Sequence, residues 1–182
     1  MSTKDKILRS ALKLFAKQGI NKTSTSQITK DAGVAEGTLF VHFKTKQELI
    51  DTLYIQMKRQ AFAKLGKVFN PELSAEHNFK AMAKHTIEHF LKNYNQFIFM
   101  GLVEIDPQVS KKALEAGASV YIDISQAFEQ WKKDGKLRDL DNEFIGAIIL
   151  SLMNTIVKYL KGKKIKEVDD IYLDVIWRAV GA

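Results

Sequence analysis

The chain has 182 residues, 46% hydrophobic and 27% charged, a composition that fits a folded globular protein and excludes a disordered one. Cysteine is absent, which rules out disulfides, thiolate zinc sites and cysteine nucleophiles. The net charge of +7 is concentrated at the N-terminus, where residues 1–50 hold nine basic against four acidic side chains, so an anionic partner is expected, nucleic acid first and a membrane surface second.

Helical periodicity dominates and no stretch alternates for long enough to suggest a strand, so the predicted fold class is all-α. Met1 to Lys6 are polar and run straight into an amphipathic pattern, so no signal peptide is expected. Ile7, Leu8, Ala11, Leu12 and Phe15 make the apolar stripe of a first helix, which Ser2 or Thr3 can cap and Gly19 stops. A second helix is predicted over 24–32 and a third over 36–42. A fourth opens at Thr45, where Thr45 and Glu48 have capping-box spacing, and continues through Leu49, Leu53 and Met57 to about Val68 before Asn70-Pro71 breaks the chain. Further helices are expected over 75–93, 95–105, 107–133 (closed by Asp134-Gly135), 141–161 (ended by Gly162) and 169–180. Lys161 to Lys166 reads as a solvated basic loop. The longest uncharged run, Phe144 to Val157, is 14 residues and contains Ser151, Asn154 and Thr155; a spanning helix needs about 18 or more apolar residues, so a buried helix is predicted.

Residues 24–43 carry the most informative pattern. Ile28 and Ala32, four apart, face one side of a short helix, and Gly33 follows at once. A helix that reverses within three residues needs a backbone position with positive φ, which glycine takes without Cβ strain. Val34 fills the corner, and Leu39 with Phe43 faces back from the next helix. Two short helices joined by a tight glycine turn form a helix-turn-helix, whose second helix enters the DNA major groove. The outward residues of that helix, Glu36, Gly37, Thr38, Val41 and His42, are not core-forming. Gly37 permits close backbone approach, and the Thr38 hydroxyl and methyl can meet a base edge or a phosphate. The amides at the helix start and Lys46 are candidates for phosphate, as is a hydroxyl at Thr23 or Ser24.

The run from Gly33 to Leu49, with Phe15-Ala16-Lys17-Gln18-Gly19 and Thr23 to Ile28 upstream, resembles the signature of the TetR family of bacterial and archaeal repressors over about residues 5–53. The resemblance implies a three-helix DNA-binding domain over 1–46 and a helical ligand-binding and dimerisation domain over 47–182. It also implies DNA contacts at Thr23, Ser24, Ser26, Thr38, Phe40, His42 and Lys46, to which the outward face of the second motif helix adds Gly37 and Val41 as candidates. Some positions depart from the family pattern. Thr29 stands where Ala is usual, Ala35 where Ser or Thr caps the helix, Glu36 where a basic residue is common, and Phe40 where a Tyr often bonds phosphate.

The implied function is that of a ligand-responsive regulator in the cytoplasm, a repressor released from a palindromic operator by a small, largely apolar effector. No cofactor, metal or membrane is expected, and no enzymatic activity. One helix-turn-helix reads one half-site, so a homodimer is expected, with an interface within residues 141–180, where Phe144 to Leu160 are apolar on more than one helix face. Candidate effector contacts are Phe79, Met82, His89, Phe90, Phe97, Met100, Tyr121 and Asn154. The alternative is a metal sensor or metallohydrolase, because His85-Thr86-Ile87-Glu88-His89 matches the inverted zinc-protease pattern, although no third ligand is evident in the sequence. A helical adaptor that no longer binds DNA is a further reading, supported by Glu36 and Phe40.

Overall fold

The structure, a computed structural model, describes residues 1–105, 109–118 and 122–182; among them the regular secondary structure is helical apart from one isolated bridge between Leu137 and Gly181. It divides into two compact units. The first comprises Met1–Gln60 with Asn93–Ser119, the second Ala61–Lys92 with Val120–Ala182.

In the first unit, α1 (Thr3–Gln18) starts at Ser2, whose hydroxyl accepts the Asp5 amide while the Asp5 carboxylate accepts the Ser2 amide. Its buried stripe is Ile7, Leu8, Ser10, Ala11 and Phe15; Leu12 is half-buried. This stripe packs against α2 (Thr25–Ala32), α3 (Glu36–His42) and α7 (Tyr94–Ile105), and Phe15 stacks on Phe99 with ring centroids 5.8 Å apart. The fully buried side chains Ile28, Leu39, Phe43, Leu49 and Leu53 complete the core. Burying a side chain of this size contributes about 1.5–3 kcal/mol.

The predicted helix over 45–68 is two helices, α4 (Lys46–Phe62) and α5 (Leu65–Val68). The break falls at Ala63 and Lys64, and the short helix that follows buries Leu65. The Thr45 hydroxyl caps the Glu48 amide as expected, but the Glu48 carboxylate accepts from Lys44, one residue further back than a simple capping box. Within the stretch 107–133 the structure describes α8 (Lys111–Ala118) and α9 (Ile122–Lys133). Ser110 accounts for the later start of α8: its hydroxyl accepts the Ala113 amide and its own amide donates to Asp51 on α4. Gly117 on α8 lies against the Tyr54 ring, where an added Cβ would sit 2.8 Å from a ring carbon.

The second unit contains α5, α6 (Ala75–Lys92), α9, α10 (Asn142–Gly162) and α11 (Asp170–Val180). Asn78 fastens the Asn70-Pro71 break to α6: its amide donates to the carbonyls of Asn70, Leu73 and Ser74, and its oxygen accepts the Asn70 amide. An aromatic cluster joins the helices, Phe79 lying 5.4 Å from Trp177 and 6.1 Å from Phe128, while Trp131 meets Phe69 and Phe128. Lys80 on α6 reaches Asp174 on α11 at 2.6 Å and also pairs with Glu76. Gly162 is the last residue of α10 rather than its stop, and the left-handed position falls on Lys164 at φ 60°.

Candidate nucleic-acid interface

The geometry of residues 24–43 follows from local chemistry. Ser24 caps α2 through a full capping box with Gln27: the Ser24 hydroxyl accepts the Gln27 amide and the Gln27 side-chain oxygen accepts the Ser24 amide. At the other end Gly33 is left-handed, with φ 66° and ψ 40°. The Gly33 amide donates to Lys30 and the Val34 amide to Thr29, the two-bond closure of a Schellman turn. The predicted positive φ therefore falls on Gly33. Ala35 then starts α3 without any side-chain acceptor for its first turn; Ser or Thr there typically adds about 1 kcal/mol.

Leu39 and Phe43 anchor α3 inward, both essentially fully buried. At 3.6 residues per turn, Val41 then lies opposite that buried edge, with Gly37 one turn before it and Thr38 beside them. Val41 is 80% exposed and Phe40 50%. Gly37 faces open space on the side where a Cβ would stand. Thr38 and His42 are half-buried, and the His42 ring lies 6.4 Å from Phe43. Ser24 and Ser26 are exposed at the start of α2. Lys30 on α2, Lys44 just after α3 and Lys22 in the turn before α2 are exposed. An uncrowded ridge on α3 and exposed positive charge in the same motif suit a groove lined by phosphates.

Two of the predicted contacts are used inside the domain. Thr23 is 1% exposed, its hydroxyl donating to the Gly19 carbonyl at 2.7 Å and accepting from Gln18. It locks the turn between α1 and α2. The Lys46 ammonium donates to the Ile20 carbonyl at 2.7 Å and lies 6.0 Å from the Phe15 ring centroid, tying the start of α4 to the same turn. Thr29, unusual for the pattern, is buried and returns its hydroxyl to the Thr25 and Ser26 carbonyls. A residue missed from sequence is Gln18, whose amide donates to Lys22, Thr23 and Gln27 and so holds the loop on α2. The Ser24–Gln27 spacing could have revealed the Gln27 end of that network. Lys13 on α1 pairs with Asp31 on α2 at 2.6 Å; this ammonium, and then the Ser10 hydroxyl, hold the Asp31 carboxyl below its usual value.

The candidate effector residues do not all share a unit. Phe79, Met82 and Phe90 are buried on α6 in the second unit, with His89 beside Phe90 and Asn154 half-buried on α10. Phe97 and Met100 are buried on α7 in the first unit, Phe97 stacked on Tyr94 at 5.4 Å. Tyr121 lies outside the described residues. Among the described residues no cluster of three or more His, Cys, Asp or Glu could hold a metal, so His85 and His89 gain no third ligand there. Burial first, then the neighbouring His89, pushes the His85 imidazole below its usual pKa.

On α10 the buried side chains are Ile145, Met153, Ile156, Val157 and Leu160, and part of its apolar surface is exposed. Phe144 is 56% exposed, and Leu150 and Tyr159 are exposed with it; on α11, Ile171 (67%) and Val175 are exposed too. By length and composition alone α10 could cross a membrane, but its outward residues also include Ser151, Thr155 and Lys158.

Residues 7–53 match the family model described as bacterial regulatory proteins, tetR family. The chain is 26% identical over 149 residues to the uncharacterized HTH-type transcriptional regulator YhgD of Bacillus subtilis, covering 80% of this chain and 78% of that one. It is 49% identical over 49 residues to the HTH-type transcriptional regulator QacR of Staphylococcus aureus, a match spanning about a quarter of each protein, 27% and 26%. A solved TetR family transcription regulator from Marinobacter aquaeolei superposes with a TM-score of 0.89 at 15% identity, over 98% of this chain and 95% of the other, and so shares the all-helical fold.

Proposed function

Because this chain belongs to the TetR family of bacterial regulatory proteins and is a transcriptional regulator with a helix-turn-helix DNA-binding domain, we propose that it is a homodimeric, ligand-responsive repressor acting in the cytoplasm. Residues 1–46 form the reading head and residues 47–182 sense and dimerise. A palindromic operator is bound by α3, with Ser24, Ser26, Gly37, Thr38, Phe40, Val41 and His42 on or beside the reading surface. Thr23 and Lys46 serve by bracing the turn that holds α2 in place. The carrying observation is the outward face of α3, bare at Gly37 and exposed at Val41 on a rigidly anchored helix. No catalytic role is assigned to any residue.

The exposed apolar side chains of α10 and α11 support dimerisation through residues 141–180. Phe144, Tyr159, Ile171 and Val175 are the kind of surface that a soluble protein covers with a partner. In the second unit, Phe79, Met82 and Phe90 offer apolar contacts for an effector, with His89 and Asn154 to orient it. Phe97, Met100 and Tyr121 remain proposed effector contacts on sequence grounds. The chain passes from one unit to the other within α4, between Gln60 and Ala61. An effector that displaces this helix would change the separation of the two reading heads. Such coupling is typically about 1–3 kcal/mol and reciprocal, so operator must weaken effector binding by the same factor.

Selection from a random duplex library at fixed salt tests the reading. A palindrome with two half-sites is the expected product. Failure to enrich any sequence, with and without candidate apolar effectors, would remove the regulator reading. The metal alternative has no supporting cluster among the described residues; a silent zinc titration by calorimetry would close it.

A further inference from the structure

With DNA taken as the partner of α3, which is the regulator reading itself, the chemistry of the helix face narrows the kind of base it can recognise. Specific base recognition in the major groove usually comes from Arg or Lys on guanine and Asn or Gln on adenine, each through paired hydrogen bonds. None of these four residue types occurs in α3, which reads Glu36, Gly37, Thr38, Leu39, Phe40, Val41 and His42. The two sites farthest from the Leu39–Phe43 anchor are Gly37 and Val41, one turn apart, and neither has a polar side-chain atom. Phe40 adds an exposed ring on one flank. The Lys30 and Lys44 side chains are exposed on the adjoining segments, and α3 itself carries no Lys or Arg.

One base feature in the major groove is apolar: the C5-methyl group of thymine. We infer that Val41, assisted by Phe40, reads thymine methyl groups, and that each operator half-site carries thymine where the centre of α3 meets the groove. Gly37 makes this possible by letting the helix axis sink far enough for the Val41 methyls to touch the groove floor. Hydrogen-bonded readout is left to the edges of the face, to Thr38, His42 and Glu36.

Deoxyuridine differs from thymidine by that methyl group alone, so it isolates the contact. The enriched duplex from the library selection would be resynthesised with each thymine replaced in turn by deoxyuridine, and binding followed by fluorescence anisotropy at one salt concentration. Burying one methyl-sized group is worth about 0.8 kcal/mol, or roughly four-fold in affinity. The expected result is a loss of about four-fold per half-site at one or two thymines, and no such loss elsewhere. Val41→Ala, at a position 80% exposed and so harmless to folding, should weaken thymine duplex by a similar factor and bind the thymine and deoxyuridine duplexes alike. Equal affinity of the wild-type chain for every substituted duplex would overturn the inference while leaving the regulator reading intact. Discrimination that survives both Val41→Ala and Phe40→Ala would overturn it too. A library that yields no enriched duplex would overturn the regulator reading, and this inference with it.

Discussion

Gly33 and Gly37 stand four residues apart in the same motif and answer to different constraints. Gly33 has φ 66°, a left-handed backbone, and a Cβ there would meet nothing within 4 Å. The constraint is therefore conformational, and Gly33→Ala should cost about 1–2 kcal/mol, read as a lower urea midpoint. Gly37 has ordinary helical geometry and the same open space around it, so nothing inside the protein requires a glycine. Gly37→Ala should raise stability by up to about 1 kcal/mol, since Ala favours a helix over Gly. The same substitution should weaken operator binding at least several-fold, because the added methyl stands on the ridge proposed to approach DNA. A more stable variant that binds DNA as well as the parent would show that Gly37 is a vacant surface position and that α3 does not approach closely.

At the scale of elements, the α1–α2 contact has a polar clasp that pH can open. The Asp31 carboxyl is held below its ordinary value of 3.8, chiefly by the Lys13 ammonium. A depressed folded pKa means that the clasp stabilises fully above that ordinary value and is lost as pH falls through the lower, folded one. Asp31→Asn should flatten the stability profile below about pH 4 and leave the slope near neutrality alone. His85 acts in a different window. Its folded pKa lies below 6.5, mainly through burial, so the native state favours the neutral ring and stability falls as pH drops below that value. His85→Gln should flatten urea midpoints measured between pH 7 and 5, and an unchanged slope would mean the ring titrates as in the unfolded chain. These clasps were not legible in the sequence, because Lys13 and Asp31 are eighteen residues apart and only the packing of α1 on α2 joins them. The α2–turn–α3 segment was legible for the opposite reason: Ser24 and Gly33 act within a few residues of themselves. The same locality limits what could be read of side-chain partners. Thr23 and Lys46 have the right chemistry for phosphate, and their bonds to the Gly19 and Ile20 carbonyls lie in a turn that periodicity does not show. The grouping of Asn93–Ser119 with the N-terminal helices depends on Phe99 reaching Phe15 and Ser110 reaching Asp51, neither of which leaves a local signal.

For the molecule as a whole, the decisive quantity is how two reading heads are linked. On the proposed reading, a single α3 with a methyl-reading centre and no paired hydrogen bonds to bases would be a weak recogniser. In the proposed dimer, with heads about 34 Å apart, the second head would bind at a local concentration in the millimolar range and not at that of free protein. Ile171 and Val175 are exposed on α11, on the surface proposed as the interface. Replacing both with Asp leaves the buried Leu173, Ile176 and Val180 in place, so the helical content should persist by circular dichroism. Two charges placed in an apolar interface are costly to desolvate, and light scattering at micromolar concentration should report a monomer. Operator affinity should then drop by about a hundred-fold or more, because each head must bind alone, while affinity for an isolated half-site stays near that of the parent. If the double variant remains a dimer, the interface lies elsewhere. If it is monomeric and holds the operator as tightly as before, the two heads do not act together, and recognition must reside in a single α3 with its flanking lysines.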